Sequence, residues 1–156
     1  MFEGARHLQN IHPLVIHFPI AFLWGAALFY FASVFLKHEP FAIAGFWVLM
    51  LGALGLAAAV LTGLYAENGV MLHLSVRQNI LLPHKNAMIF VSVLCGISVV
   101  WALVARPFPK KGRIFFLFLL LAMVAAMTLG ADYGGRLVYD YNAGGTACRQ
   151  PIHFTN

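Results

Sequence analysis

The sequence predicts an all-α integral membrane protein, a four-helix bundle with up-down-up-down topology, and three observations lead to this fold class. Of the 156 residues, 62% are hydrophobic and only 10% are charged, which is outside the range of soluble domains. Four apolar runs approach the length of about 20 residues that crosses a hydrocarbon core. Short connections join these runs, which favours antiparallel neighbours. The length corresponds to a single membrane domain, residues 1–156.

The predicted spans cover residues 14–36, 41–65, 84–105 and 114–131, and residues 132–156 form a polar, glycine-rich tail. The first span is expected to be retained, because no basic segment of a signal peptide precedes it. Within the second span, Gly55, Ala59 and Gly63 follow one another at four-residue intervals. Small residues at this spacing let two helix backbones approach closely in a membrane.

The basic residues predict the orientation of the bundle in the membrane. The net charge is +5, and the Lys and Arg residues lie in the connections and the terminal segments. The sequence contains no nucleic-acid-binding motif, so this charge does not indicate a nucleic-acid partner. The connections "KHEP" and "RPFPKKGR" are the densest in Lys and Arg, so we expect them to be cytoplasmic. Both termini would then be periplasmic in a bacterial inner membrane. Six of the seven histidines fall on this outer side: His7, His12, His17, His73, His84 and His153.

The segment "NIHPLVIHFPIAF" places two histidines and two prolines at the start of the first span. Pro13 suits a first helical position, whereas Pro19 either bends the helix or marks its regular start. His12 and His17 are five residues apart, about 140° around a helix, so they do not converge on one ion. A shared ligand therefore requires a histidine from another helix.

His84, in "LPHKN" at the start of the third span, is expected at the same depth as His17. Two histidines that face each other across a bundle are typical ligands of a b-type haem. The predicted haem or metal ligands are His17 and His84, with His12 as the alternative to His17. The cations expected to meet the haem propionates are Arg77, Lys85 and Arg136.

Other interpretations of the same residues remain open. An interfacial histidine often only caps a helix or binds a carbonyl. His73 is either a third ligand or a residue of a loop on the membrane, and nearby carboxylates would suit a zinc or copper site. Gly134 and Gly135 either cap the fourth helix or allow a close approach to its backbone. The two cysteines form neither a thiol-redox motif nor a c-type haem motif.

Four short motifs resemble a family of small bacterial four-helix membrane proteins, domain of unknown function 2231. They are "HPLVIHFPIA" at residues 12–21, "TGLYAE" at 62–67, "HKN" at 84–86 and "GGRLVY" at 134–139. The resemblance covers nearly the whole chain and carries the family's histidines onto His12, His17 and His84. It implies membrane electron transfer, because relatives occur beside or fused to c-type cytochrome and Rieske-type domains.

These observations predict a membrane-embedded b-type cytochrome-like subunit. Its haem would link a periplasmic c-type cytochrome or Rieske-like protein to quinone or to other subunits. One alternative is a cofactor-free anchor or assembly subunit of a redox complex, and another is a metal-handling protein that uses the same histidines. The sequence contains no nucleophile–base pair and no nucleotide fingerprint, so no catalytic residue is predicted and a non-catalytic subunit is expected.

Overall fold

The computed structural model describes residues 11–70 and 72–143, and every regular element in this part of the chain is helical. Its elements are α1 (His12–Val15), α2 (His17–Phe35), α3 (Glu39–Glu67), α4 (Leu74–Val76), a π-helical segment (Arg77–Leu81), α5 (Leu82–Val104) and α6 (Arg113–Tyr139). The end of the predicted tail, with His153, and the N-terminal His7 lie outside the described residues.

Within residues 11–70 and 72–143, four helical stretches are long and apolar enough to cross a membrane. We call them the first to fourth spans: His12–Phe35, Glu39–Glu67, Leu74–Val104 and Arg113–Tyr139. They confirm the predicted all-α bundle with four membrane-spanning helices. The third span starts before residue 84 and the fourth continues past residue 131, because helical structure extends beyond the apolar runs at this end.

The first span begins with a short helix and a break, which the two prolines explain. Pro13 lies in the first turn of α1 and Pro19 in the first turn of α2, with the chain turning at Ile16 between them. The first turn of a helix has no intrahelical use for the missing proline N–H. Neither proline therefore removes a backbone hydrogen bond from the interior of α2. His12 and His17 are the first residues of two successive helices.

The bundle consists of two helical hairpins. The first and second spans pack together extensively, the third and fourth do likewise, and contacts between the hairpins are fewer. The glycines of α3 make the first hairpin close, because a Cβ at Gly52 would lie 2.6 Å from Leu23 and one at Gly55 would lie 3.2 Å from Pro19. The small residues of the second span thus serve the close approach expected of them.

At one end of the bundle, four aromatic rings pack together where the two hairpins meet. Tyr30 is fully buried, stacks on Phe108 at 5.3 Å and meets the edge of Phe116 at 5.0 Å. Trp101 contacts Phe116 at 5.7 Å, and the Tyr30 hydroxyl donates a hydrogen bond to the Pro107 carbonyl at 3.2 Å. We call this the aromatic end.

A second, smaller apolar cluster lies at the opposite end. It contains Val76 from α4, Ile80 from the π-helical segment and Leu137 from the last turns of α6. Leu137 is available because α6 continues through Gly134 and Gly135, so the expectation that these glycines cap the fourth helix is wrong. The connection between the second and third spans is thereby packed onto the end of the fourth.

Candidate ligand site at the histidine end

Two histidines from different hairpins meet at the end of the bundle opposite the aromatic end. His12 begins the first span, and His84 lies in the first turn of α5. Their ring centres are 6.5 Å apart and their ring planes are inclined by 77°. Both side chains are half-buried. We call the region around these two rings the histidine end.

The ring of His84 is held in one tautomer by the fourth span. Its Nδ1 lies 2.7 Å from the carbonyl oxygen of Gly130. A carbonyl only accepts hydrogen bonds, so Nδ1 carries the proton and donates it. In the neutral imidazole the lone pair is then on Nε2, the arrangement found in histidines that ligate metals.

The ring of His12 is held in the same tautomer by the second span. Its Nδ1 lies 3.1 Å from the hydroxyl oxygen of Thr62. That hydroxyl donates its proton to the carbonyls of Ala58 and Ala59, at 2.9 and 3.1 Å. Its oxygen therefore accepts from the Nδ1–H of His12, which puts the lone pair of this ring on Nε2.

Each histidine ring packs against a glycine of the helix that holds it. A Cβ at Gly63 would lie 3.0 Å from Cε1 of His12, and a Cβ at Gly134 would lie 3.0 Å from Cε1 of His84. This distance is tighter than ordinary van der Waals contact. The close approach expected at Gly134 is thus found, and the group that approaches is the imidazole of His84.

A charged cluster lies beside the histidine pair and joins the second and third spans. The carboxylate of Glu67 accepts from Arg77 at 2.9 Å and from Lys85 at 2.7 Å. Glu67 is one helical turn beyond Gly63, and Lys85 follows His84 directly. Two of the three cations expected near the propionates, Arg77 and Lys85, are therefore already paired with a carboxylate, and the cluster has a net charge of +1.

The remaining candidates have local partners. His17 is exposed, and its Nδ1 lies 3.3 Å from the carbonyl oxygen of Leu14. His73 accepts from the backbone N–H of Ser75 and so caps α4. Arg136 lies 3.7 Å from Asp140, one turn along α6. The histidine contact in the structure thus involves the alternative residue, His12, and the metal pair His17 and His84 is not brought into ring contact.

A metal site formed by protein ligands alone would need more donors than these two rings. In the described part of the chain, no group of three or more His, Cys, Asp and Glu side chains is arranged to hold a metal ion. The arrangement at the histidine end is thus a pair of imidazoles from different hairpins, each held at Nδ1 by its own hairpin.

Comparison with known families identifies the chain. The family model described as "Predicted membrane protein (DUF2231)" matches residues 8–147, which is most of the sequence. The chain belongs to the DUF2231 family. Searches of curated proteins and of solved structures find no match. The region matched by the family model includes the four spans and every residue of the histidine end.

Sequence reasoning missed the two groups that fix the histidines of this DUF2231 protein. Thr62 lies in the "TGLYAE" motif, but a threonine on an apolar helix carries no sign of which ring it will meet. The Gly130 carbonyl is a backbone group, so the sequence alone does not reveal it. The available signal was Gly63, whose place in a small-residue face indicated that something packs closely there.

Proposed function

We propose that this DUF2231 protein is a membrane electron-transfer subunit in which His12 and His84 hold a b-type haem. One observation carries the proposal: two imidazoles from different hairpins meet at 6.5 Å, each with its Nδ1 proton held by its own hairpin. A pair of neutral imidazoles is a suitable donor set for haem iron, because the porphyrin supplies the other four nitrogens.

The spacing of the two rings supports this assignment. Metal–nitrogen bonds to histidine are about 2 Å long, so ring centres on either side of one ion are about 6 Å apart. The ring centres of His12 and His84 are 6.5 Å apart. Direct edge-to-face packing of two rings also covers this distance. The contacts at Nδ1 add to the case for a ligand, because they leave Nε2 of each ring as the donor atom.

The surrounding groups would tune and anchor the cofactor. The Thr62 hydroxyl and the Gly130 carbonyl contact Nδ1 of the two rings and would hold the rings in orientation. Arg77 and Lys85 would share their charge between Glu67 and the haem propionates. When bound, the haem would supply one-electron transfer near one membrane surface.

The distribution of cations supports a periplasmic position for the histidine end. Exposed Lys and Arg are concentrated in the short connections at the aromatic end, as expected of a cytoplasmic face. In a bacterial inner membrane, the haem would then accept or donate electrons near the periplasm. A c-type cytochrome or a Rieske-like protein would be the soluble partner, and quinone or another subunit the membrane partner.

The experiment that tests the proposal is an optical spectrum of the detergent-purified chain, produced with haem available. We expect a sharp low-spin b-type band in the reduced-minus-oxidised spectrum, with close to one haem per chain by pyridine haemochrome. A spectrum without a Soret band would overturn the proposal. Zinc or copper found by elemental analysis in such a preparation would instead favour a metal-handling protein in which these two rings act with further donors.

A second candidate function is a cofactor-free anchor or assembly subunit, and the small apolar cluster at the histidine end favours it. Val76, Ile80 and Leu137 pack the connection between the second and third spans onto the end of α6. This gives the bundle a defined surface beyond the apolar runs, on which a soluble redox protein would dock. Retention of a co-purifying partner by the His12→Ala, His84→Ala double variant would support this function, and its loss would count against it.

A further inference from the structure

The apolar residues of the connection between the third and fourth spans pack against the end of the bundle, whereas its Lys and Arg side chains are exposed. We call residues 106–113 the basic loop. Its apolar residues point inward: Phe108 stacks on Tyr30, Pro109 is fully buried, and the Pro107 carbonyl accepts a hydrogen bond from Tyr30. The loop is therefore held to the first hairpin as well as to its own.

Glycine fixes the last turn of the basic loop. Gly112 has a φ of +75°, and a Cβ there would lie 2.9 Å from Cζ2 of Trp101. The left-handed conformation and the close approach both favour glycine at this position. The fourth span then begins at Arg113. The buried Pro109 and the first turn of α6 therefore fix the two ends of the short backbone segment between them.

The charged side chains of the basic loop are exposed. Arg106, Lys110, Lys111 and Arg113 all face solvent, and the guanidinium of Arg106 lies 5.0 Å from the centre of the Phe46 ring. Within the described residues, ion pairs join other groups, and none involves these four cations. Four like charges on a short, fastened segment repel one another, so an anion bound among them lowers the free energy.

We propose that Lys110, Lys111 and Arg113 form a site for the phosphate of an anionic phospholipid headgroup. The basic loop lies at the ends of two membrane-spanning helices, the level at which headgroups are found. Arg113 opens α6, whose N-terminal backbone N–H groups add partial positive charge. Because the loop is already fastened by Phe108, Pro109 and Gly112, lipid binding requires little ordering of the backbone. This inference is independent of the proposed haem.

Lipid binding to the purified chain tests this site. Native mass spectrometry would count the lipids retained from mixed micelles that contain phosphatidylglycerol and phosphatidylcholine of identical acyl chains. We expect the wild type to retain phosphatidylglycerol preferentially. The double variant Lys110→Gln, Lys111→Gln should lower that preference by about tenfold or more, because each cation near an anionic surface contributes about 1 kcal/mol. Both lysines are exposed, so the variant keeps the fold.

The matched control is Lys110→Arg, Lys111→Arg, which keeps the charge and should keep the preference. Equal retention of the two lipids by the wild type, or an unchanged preference in the glutamine variant, would overturn the proposal. Competition with millimolar inorganic phosphate separates the two sources of the ligand. Phosphatidylglycerol should stay bound, and its displacement by free phosphate would overturn the assignment to a lipid.

Discussion

The histidine end and the aromatic end both join the two hairpins, but they do so with different chemistry. At the aromatic end, Tyr30 of the first hairpin packs against Phe108 and Phe116 of the second. At the histidine end, the hairpins meet through His12 and His84, with the Glu67 cluster alongside. Apolar ring packing has many equivalent solutions. Two imidazoles with fixed protons define one geometry.

This difference is what our proposal expects if the aromatic end stabilises the fold and the histidine end binds a ligand. Lipid chains are as apolar as the core of the bundle, so helix association in a membrane depends on close packing and hydrogen bonds. The aromatic rings provide packing over a large area. The histidine end replaces such packing with half-buried polar groups, which are retained in membrane proteins mainly for function.

The largest expected effect on stability is at the aromatic end. Phe116→Ala removes a fully buried ring that touches Tyr30, Trp101 and Phe108. We expect the free energy of unfolding, measured by denaturing-detergent titration, to fall by about 3 kcal/mol. Phe118→Ala is the matched control, since that ring is 64% exposed on the same helix. An equal loss in both variants would contradict the account of the aromatic end.

At the histidine end, the glycines should affect the ligand more than the fold. Gly63→Ala and Gly134→Ala each place a methyl group 3.0 Å from a histidine ring. We expect roughly thirtyfold weaker haem binding from either change, because crowding of this kind costs about 2 kcal/mol. Alanine is the better helix former, so secondary structure is retained. Gly96→Ala is the control, because its Cβ meets nothing within 4 Å; an equal loss there would refute this prediction.

A smaller effect is expected when only the proton acceptor of His12 is removed. Thr62→Val keeps the shape of the side chain but deletes the hydroxyl that accepts from Nδ1. Loss of such a supporting group typically weakens metal binding by about tenfold. Haem titration of the variant would measure this loss, accompanied by a shift of the midpoint potential. Thr62→Ser keeps the hydroxyl and should keep the wild-type haem affinity and midpoint potential. A valine variant that binds haem like the wild type would argue against the role of Thr62.

The smallest effect is expected at the charged cluster. Glu67→Gln removes the carboxylate that pairs with Arg77 and Lys85. Both cations are partly exposed, so each pair contributes at most about 1 kcal/mol. We expect a slight decrease of the thermal midpoint at low salt that disappears at high salt, when it is measured by light scattering in detergent. A large decrease of the thermal midpoint that persists at high salt would mean that this cluster, rather than ring packing, holds the hairpins together.

The fold could be predicted from the sequence because it depends on the length and composition of continuous segments. Four apolar runs in a short chain determine a membrane bundle whatever the details of packing. The glycine face of the second span was also readable, since Gly55 and Gly63 recur at a helical spacing. At Gly134 the alternative of a helix cap was wrong, because the helix continues where the last turns of α6 pack against Val76 and Ile80.

The site could be predicted only in part, because it depends on rotation about the helix axes. The sequence indicated that one histidine of the first span would meet one of the third, and it left His12 and His17 as alternatives. The break at Ile16 separates them into two helices, and the ring of His12 then packs on Gly63. That choice follows from tertiary contacts that neither residue type nor spacing encodes.

The most direct test of the central claim compares the visible spectra of His12→Ala and His17→Ala with that of the wild type, all purified with haem available. The claim is that His12 and His84, rather than His17 and His84, form the ligand pair. We expect the low-spin b-type band in the wild type, the same band in His17→Ala, and its loss in His12→Ala. Loss of the band in His17→Ala with retention in His12→Ala would contradict the account.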